Sequence, residues 1–143
     1  MGIINIGNKG AVSIDGFVYE LEYREALYIG QGNKEIVFLS DNASKPAQFY
    51  INSTPAHKSF PTKKNGKDDL ETIELGSPET ANVRTLRKYI VNSVVDVCQL
   101  QMGMTTLKSG SSWNTMPAHV HDRRMEIYFY FEVAPDQAVC HFM

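Results

Sequence analysis

The stretch Ala11-Val12-Ser13-Ile14-Asp15-Gly16-Phe17-Val18-Tyr19-Glu20-Leu21 decides the fold class. Two β-prone runs flank Asp15-Gly16, a dipeptide suited to the positive φ angles of a tight hairpin turn. The second run alternates between two faces, which is the period of a strand rather than a helix. Working outward, Ala26-Leu27-Tyr28-Ile29 is bounded by Gly30 and Gly32, Glu35-Ile36-Val37-Phe38-Leu39 follows, and Gln48-Phe49-Tyr50-Ile51 adds another run. Short strands at this spacing, joined by Gly, Asp and Asn turns, read as an all-β sandwich or barrel.

Residues 53–83 change character. Pro55, Pro61, the run Lys63-Lys64-Asn65-Gly66-Lys67-Asp68-Asp69 and Ser77-Pro78-Glu79 read as a polar, turn-rich connector, with Lys63 and Lys64 in a solvated loop and a short helix over Glu79–Arg87. The expected division is 1–60, 61–86 and 87–143. The β pattern resumes in Lys88-Tyr89-Ile90-Val91 and Val94–Met104, and continues in Met125–Val133. Pro135-Asp136-Gln137 reads as a turn, after which Ala138–Phe142 opens a strand cut short at Met143.

Composition narrows the function. With 143 residues the chain has the length of one domain or parts of two, and 43% hydrophobic residues suffice for a core. A net charge of −2 with scattered Lys and Arg argues against nucleic acid or an anionic membrane as partner, leaving a small molecule or a protein. Cys98 and Cys140 imply no disulfide framework. The opening Met1-Gly2-Ile3-Ile4-Asn5-Ile6-Gly7 has no basic, signal-like character, and no apolar run approaches the roughly 20 residues of a membrane span. The expectation is a cytoplasmic, soluble protein.

The chemistry concentrates in Pro117-Ala118-His119-Val120-His121-Asp122-Arg123-Arg124-Met125-Glu126. On a strand, His119 and His121 point to one face. Glu126 has the wrong parity for an unbroken strand, and a bulge or tight turn at Asp122-Arg123-Arg124 restores it. Beyond that break Glu126, Tyr128 and Tyr130 share one face, expected to line a cavity, while Met125, Ile127, Phe129 and Phe131 share the apolar one. Two imidazoles and a carboxylate suit Zn²⁺, Fe²⁺ or Mn²⁺ and leave coordination positions open. His57 and His141 read as loop or strand histidines rather than ligands.

The His119-x-His121-x4-Glu126 spacing resembles the first metal motif of cupins. The longer string from Trp113-Asn114-Thr115-Met116-Pro117 through Glu126-Ile127-Tyr128-Phe129-Tyr130-Phe131 resembles the 4-deoxy-L-threo-5-hexosulose-uronate ketol-isomerases of bacterial pectin breakdown. So do Gly2–Gly7, Arg24–Gly30, Pro55-Ala56-His57, Phe60–Lys64 and Cys98-Gln99-Leu100-x-Met102-Gly103, in the same order.

That resemblance implies tandem cupin (jelly-roll) barrels, one Zn²⁺ per subunit in the second barrel, and a hexamer. It implies that His119, His121 and Glu126 are zinc ligands, with a further downstream His that has no counterpart here, since His141 follows His121 too closely. Residues 1–60 then correspond to the later half of barrel one, without a metal motif, and 87–143 to the early half of barrel two. The implied reaction is isomerisation of a keto-uronate. Arg124, which shares the strand parity of Glu126, is expected to pair with the substrate carboxylate, with Arg123 as second choice. Tyr128 and Tyr130 are expected to orient substrate or relay a proton. Two other readings compete: another metal cupin enzyme such as an Fe²⁺ dioxygenase, and an inactive fragment lacking the fourth ligand.

Overall fold

The computed structural model describes residues 1–114 and 119–142. Ten strands are formed among them: β1 (Gly2–Asn5), β2 (Gly10–Ile14), β3 (Phe17–Leu21), β4 (Ala26–Tyr28), β5 (Ile36–Ser40), β6 (Phe49–Asn52), β7 (Lys63–Asn65), β8 (Glu71–Leu75), β9 (Arg84–Ile90) and β10 (Met102–Leu107). The protein is all-β, its only helical elements among the described residues being two 3-10 turns, Lys67–Asp69 and Pro78–Thr80. Three antiparallel sheets result, ordered β6-β1-β4-β7, β3-β2-β5 and β10-β9-β8. This organisation is consistent with a cupin-like jelly roll.

The four-stranded sheet is the centre. Ile3 pairs with Leu27, and both point into a cluster with Val12, Ile14, Leu21 and Ile29. Their neighbours Ile4, Ala26 and Tyr28 point the other way, into a cluster with Tyr89, Ile90, Val95, Val97, Met102 and Met104. Because side chains alternate, a strand covered on both faces must be apolar throughout. That is why β1 and β4 are buried along their whole lengths. The β2–β3 hairpin closes as expected, with Asp15 at φ 46° and Gly16 at φ 88°.

Buried polar groups tie the layers together. Asn5, fully buried, donates to the carbonyls of Asn8 (2.8 Å) and Leu21 (2.9 Å) and accepts from the Gly7 amide (3.0 Å). Asn65 on β7 donates to the Tyr89 carbonyl on β9 at 2.8 Å, joining the central sheet to the third one. Cross-strand pairs stabilise β8 against β9: Glu71 faces Lys88 with a 2.7 Å ion pair, and Thr85 donates to Glu74 at 2.6 Å.

Several local expectations are corrected. The connector is not merely a loop. Lys63 and Lys64 lie in β7, Lys64 pairs with the buried Glu25 at 2.7 Å, and β8 also falls within it. The helix over Glu79–Arg87 is absent, because Ala81 turns left-handed (φ 49°) after one 3-10 turn and Arg84 opens a strand. Residues 94–101 form no strand. Val95 and Val97 owe their apolar character to side-chain burial in the core, while turn bonds to the Val91 carbonyl replace a ladder. Met125–Val133 and Ala138–Phe142 make no ladder, since no described strand runs beside them to accept one.

Candidate metal centre

Of the quoted motif, Thr115, Met116, Pro117 and Ala118 lie outside the described residues, while His119 through Glu126 lie within them. The backbone turns at Asp122-Arg123, where the parity argument required a break. The turn brings Glu126 Oε1 to 3.3 Å from His121 Nε2. His119 packs edge-on against His121, with ring centroids 5.0 Å apart and planes at 90°. The hydroxyl of Tyr128 donates to Glu126 Oε2 at 3.0 Å. Glu126 is thus held from both sides, by an imidazole and by a phenol.

Beyond the turn the aromatic rings alternate between two sides, while Met125 and Ile127 of the expected apolar face stay exposed. Tyr128 and Tyr130 stack with centroids 6.5 Å apart on the polar side. On the apolar side Phe129 stacks on Phe131 at 5.9 Å and on Tyr50 of β6 at 4.8 Å, and Phe131 packs against the core. Neither the cavity lined by Pro61, Lys63 and residues 92–96 nor the one beside Tyr28 and Cys98 includes the polar face, and Tyr128 and Tyr130 remain about half exposed. Arg123 and Arg124 are exposed. Partial removal of its hydroxyl from water, and then the adjoining Glu126 carboxylate, push the Tyr128 phenol above its ordinary pKa.

The residues present fit a zinc-type ion by donor chemistry. With metal–ligand bonds of ~2.0–2.1 Å at tetrahedral angles, two donors of one ion stand roughly 3.3–3.4 Å apart. The His121–Glu126 separation of 3.3 Å matches that spacing. Among the described residues, no group of three or more His, Cys, Asp or Glu is drawn together closely enough to hold an ion. His119, His121 and Glu126 are therefore neighbours rather than an assembled centre.

Two features escaped the reading of the sequence. His141 joins the polar face, its Nδ1 2.8 Å from the Tyr130 hydroxyl and its ring 4.5 Å from that of Tyr128. The signal was present: Tyr130 and His141 lie equally far on either side of the Pro135-Asp136 turn, so a chain reversal there sets them opposite each other. The second feature is a latch. Arg24 bonds Glu132 at 2.7 Å and the Tyr23 hydroxyl at 2.8 Å, and Tyr23 also donates to Glu132. It fastens the end of the aromatic run to the β3–β4 turn, and no local spacing could have signalled it.

A sequence model described as the KduI/IolB family matches residues 2–143. The chain belongs to the KduI/IolB family. Within this family it is similar to a protein of Formosa agariphila named 4-deoxy-L-threo-5-hexosulose-uronate ketol-isomerase, with 62% identity over all 143 residues and 51% of the relative covered. Relatives with the same name from Lachnospira eligens (55% identity, 52% of the relative) and Escherichia coli (50%, 51%) also match along the whole chain. The chain spans about half the length of these curated KduI/IolB relatives. Among the described residues, no helix is long and apolar enough to cross a membrane.

Proposed function

We propose that this chain contributes the metal-binding motif of a zinc-dependent ketol-isomerase acting on 4-deoxy-L-threo-5-hexosulose uronate, with 3-deoxy-D-glycero-2,5-hexodiulosonate as product. The observation that supports it most is full-chain similarity of 50–62% to relatives bearing that enzyme name. The Glu126 contacts to His121 and Tyr128 agree with it.

His119, His121 and Glu126 would hold the ion. When bound, a zinc ion supplies Lewis acidity that polarises a carbonyl oxygen and acidifies the neighbouring C–H. The remaining work belongs to the chain's own side chains. Arg124 offers a planar, bidentate partner for the uronate carboxylate and so sets the direction of the sugar chain. Tyr128, with its pKa raised, stays protonated and donates a hydrogen bond at neutral pH. Its hydroxyl, bonded to Glu126, would exchange that carboxylate for a substrate oxygen and hold a proton there. A small-molecule substrate, a homo-oligomer of hexameric order and a cytoplasmic setting belong to the same reading. So do tandem half-barrels at 1–60 and 87–143 flanking the 61–86 connector.

Proton NMR of the keto-uronate mixed with the full chain and zinc tests the proposal. Substrate should convert, Tyr128→Phe should slow turnover, and Arg124→Lys should raise KM more than it lowers kcat. No conversion with zinc present would refute it, and turnover that requires O₂ would favour an Fe²⁺ dioxygenase. A second reading is favoured by one observation. Among the described residues the donors do not close around an ion, which favours completion of the site by a residue supplied from another subunit. Isomerase activity in the full chain held as a monomer contradicts that reading.

A further inference from the structure

A cavity of about 300 Å³ opens between the end of β4 and the loops that precede β7 and β10. Tyr28, Gly30, Asn33, Pro55, Cys98 and Leu100 are among its walls, and no Asp, Glu, Lys or Arg side chain lines it. Its size is at the small end for ligand sites. The Met1 amino terminus, also on the wall, is taken up by the Ile29 carbonyl at 2.8 Å and burial lowers its pKa, so the lining favours a neutral guest.

Cys98 on that wall has a partner 41 residues away in sequence. Its Sγ lies 3.2 Å from His57 Nδ1 and accepts the His57 backbone N–H at 3.3 Å. The loop bearing His57 is held against the cavity rim. The Phe60 carbonyl approaches Gly30 so closely that a Cβ there would sit 1.9 Å from the oxygen, and Ser59 Oγ donates to the Gln31 carbonyl at 3.4 Å. A thiol with an imidazole nitrogen in reach and an amide aimed at its sulfur has the components of an activated nucleophile. The other thiol, Cys140, is exposed, and both cysteines are free.

We propose that Cys98 and His57 form a nucleophilic pair that takes up small neutral α,β-unsaturated carbonyl compounds from this cavity. In the step, Sγ bonds to the β-carbon of the electrophile and the C=C π pair moves to the α-carbon. The thiol proton passes to His57 Nδ1 and then to that α-carbon. The result is a net addition with no leaving group, oxidant or reductant. It is independent of the isomerase reading and uses none of that site's residues.

Acrylamide is a suitable probe, being small, neutral and slow enough to resolve rates. The full chain is treated at pH 7.5 and alkylation of each cysteine is followed by peptide mass spectrometry. Cys98 should react at least ~10-fold faster than the more exposed Cys140, as general-base assistance of even modest size would give. His57→Ala and His57→Asn should each remove that advantage while leaving the Cys140 rate unchanged. Equal or slower labelling of Cys98 in the wild-type chain would overturn the proposal without reference to any variant. So would a Cys98 rate within twofold of wild type in the His57 variants.

Discussion

Leu27→Ala tests the architecture on which the site is mounted. Leu27 is fully buried on the face of the central sheet that meets β2, β3 and β5. Truncation removes three carbons, a transfer loss of ~2.4 kcal/mol at ~0.8 kcal/mol per buried carbon. The cavity left behind raises the cost to ~3–4 kcal/mol. With a urea m-value of ~2 kcal/mol/M, the unfolding midpoint should fall by ~1.5–2 M at unchanged slope. Ile90→Val on the opposite face, also fully buried, should cost ~1 kcal/mol. The clusters on the two faces share no residue, so the double variant should equal the sum within ~0.5 kcal/mol. Leu39→Ala, at a position 43% exposed, should cost less than ~1 kcal/mol. A Leu27→Ala cost as small as that of Leu39→Ala would refute a central sheet covered on both faces.

Two further outcomes follow from particular side chains. Burial holds the Tyr89 phenol above its ordinary pKa, so the unfolded chain ionises first; stability from this group is complete below pH ~10 and is lost as pH rises toward the folded value. Tyr89→Phe should therefore lose less stability than wild type between pH 9 and 11 in chemical denaturation, and parallel curves would contradict this. Glu132→Gln weakens the latch to Arg24 and Tyr23, which is partly exposed, so global stability should drop by less than ~1 kcal/mol. Limited proteolysis within residues 119–142 should nevertheless accelerate, and an unchanged cleavage rate would show that the latch does not hold that segment.

What could be read from the chain divides by range. The Asp15-Gly16 hairpin is local, and turn chemistry alone specified it. The turn at Asp122-Arg123 was legible from parity, because Glu126 could not otherwise reach the side of His121. Residues 94–101 misled, whereas Met102–Met104 do enter β10, because apolar content reports burial, not ladder membership: Val95 and Val97 enter the core from a loop. The β7 strand was masked by its lysines, whose polarity suits an edge position beside Glu25. Contacts such as His57 with Cys98 and Arg24 with Glu132 join residues 41 and 108 positions apart, and periodicity carries no information at that distance.

Metal content of the full chain, measured by elemental analysis after zinc loading and exhaustive buffer exchange, bears most directly on the central claim. The account predicts one zinc per chain in the wild type, and loss of that ion in both His121→Ala and Glu126→Ala. Because changes to residues that only hydrogen-bond a ligand already weaken metal sites by roughly 10–100-fold, removal of a true ligand should leave no retained zinc. Unchanged stoichiometry in both variants would contradict a site built on His119, His121 and Glu126.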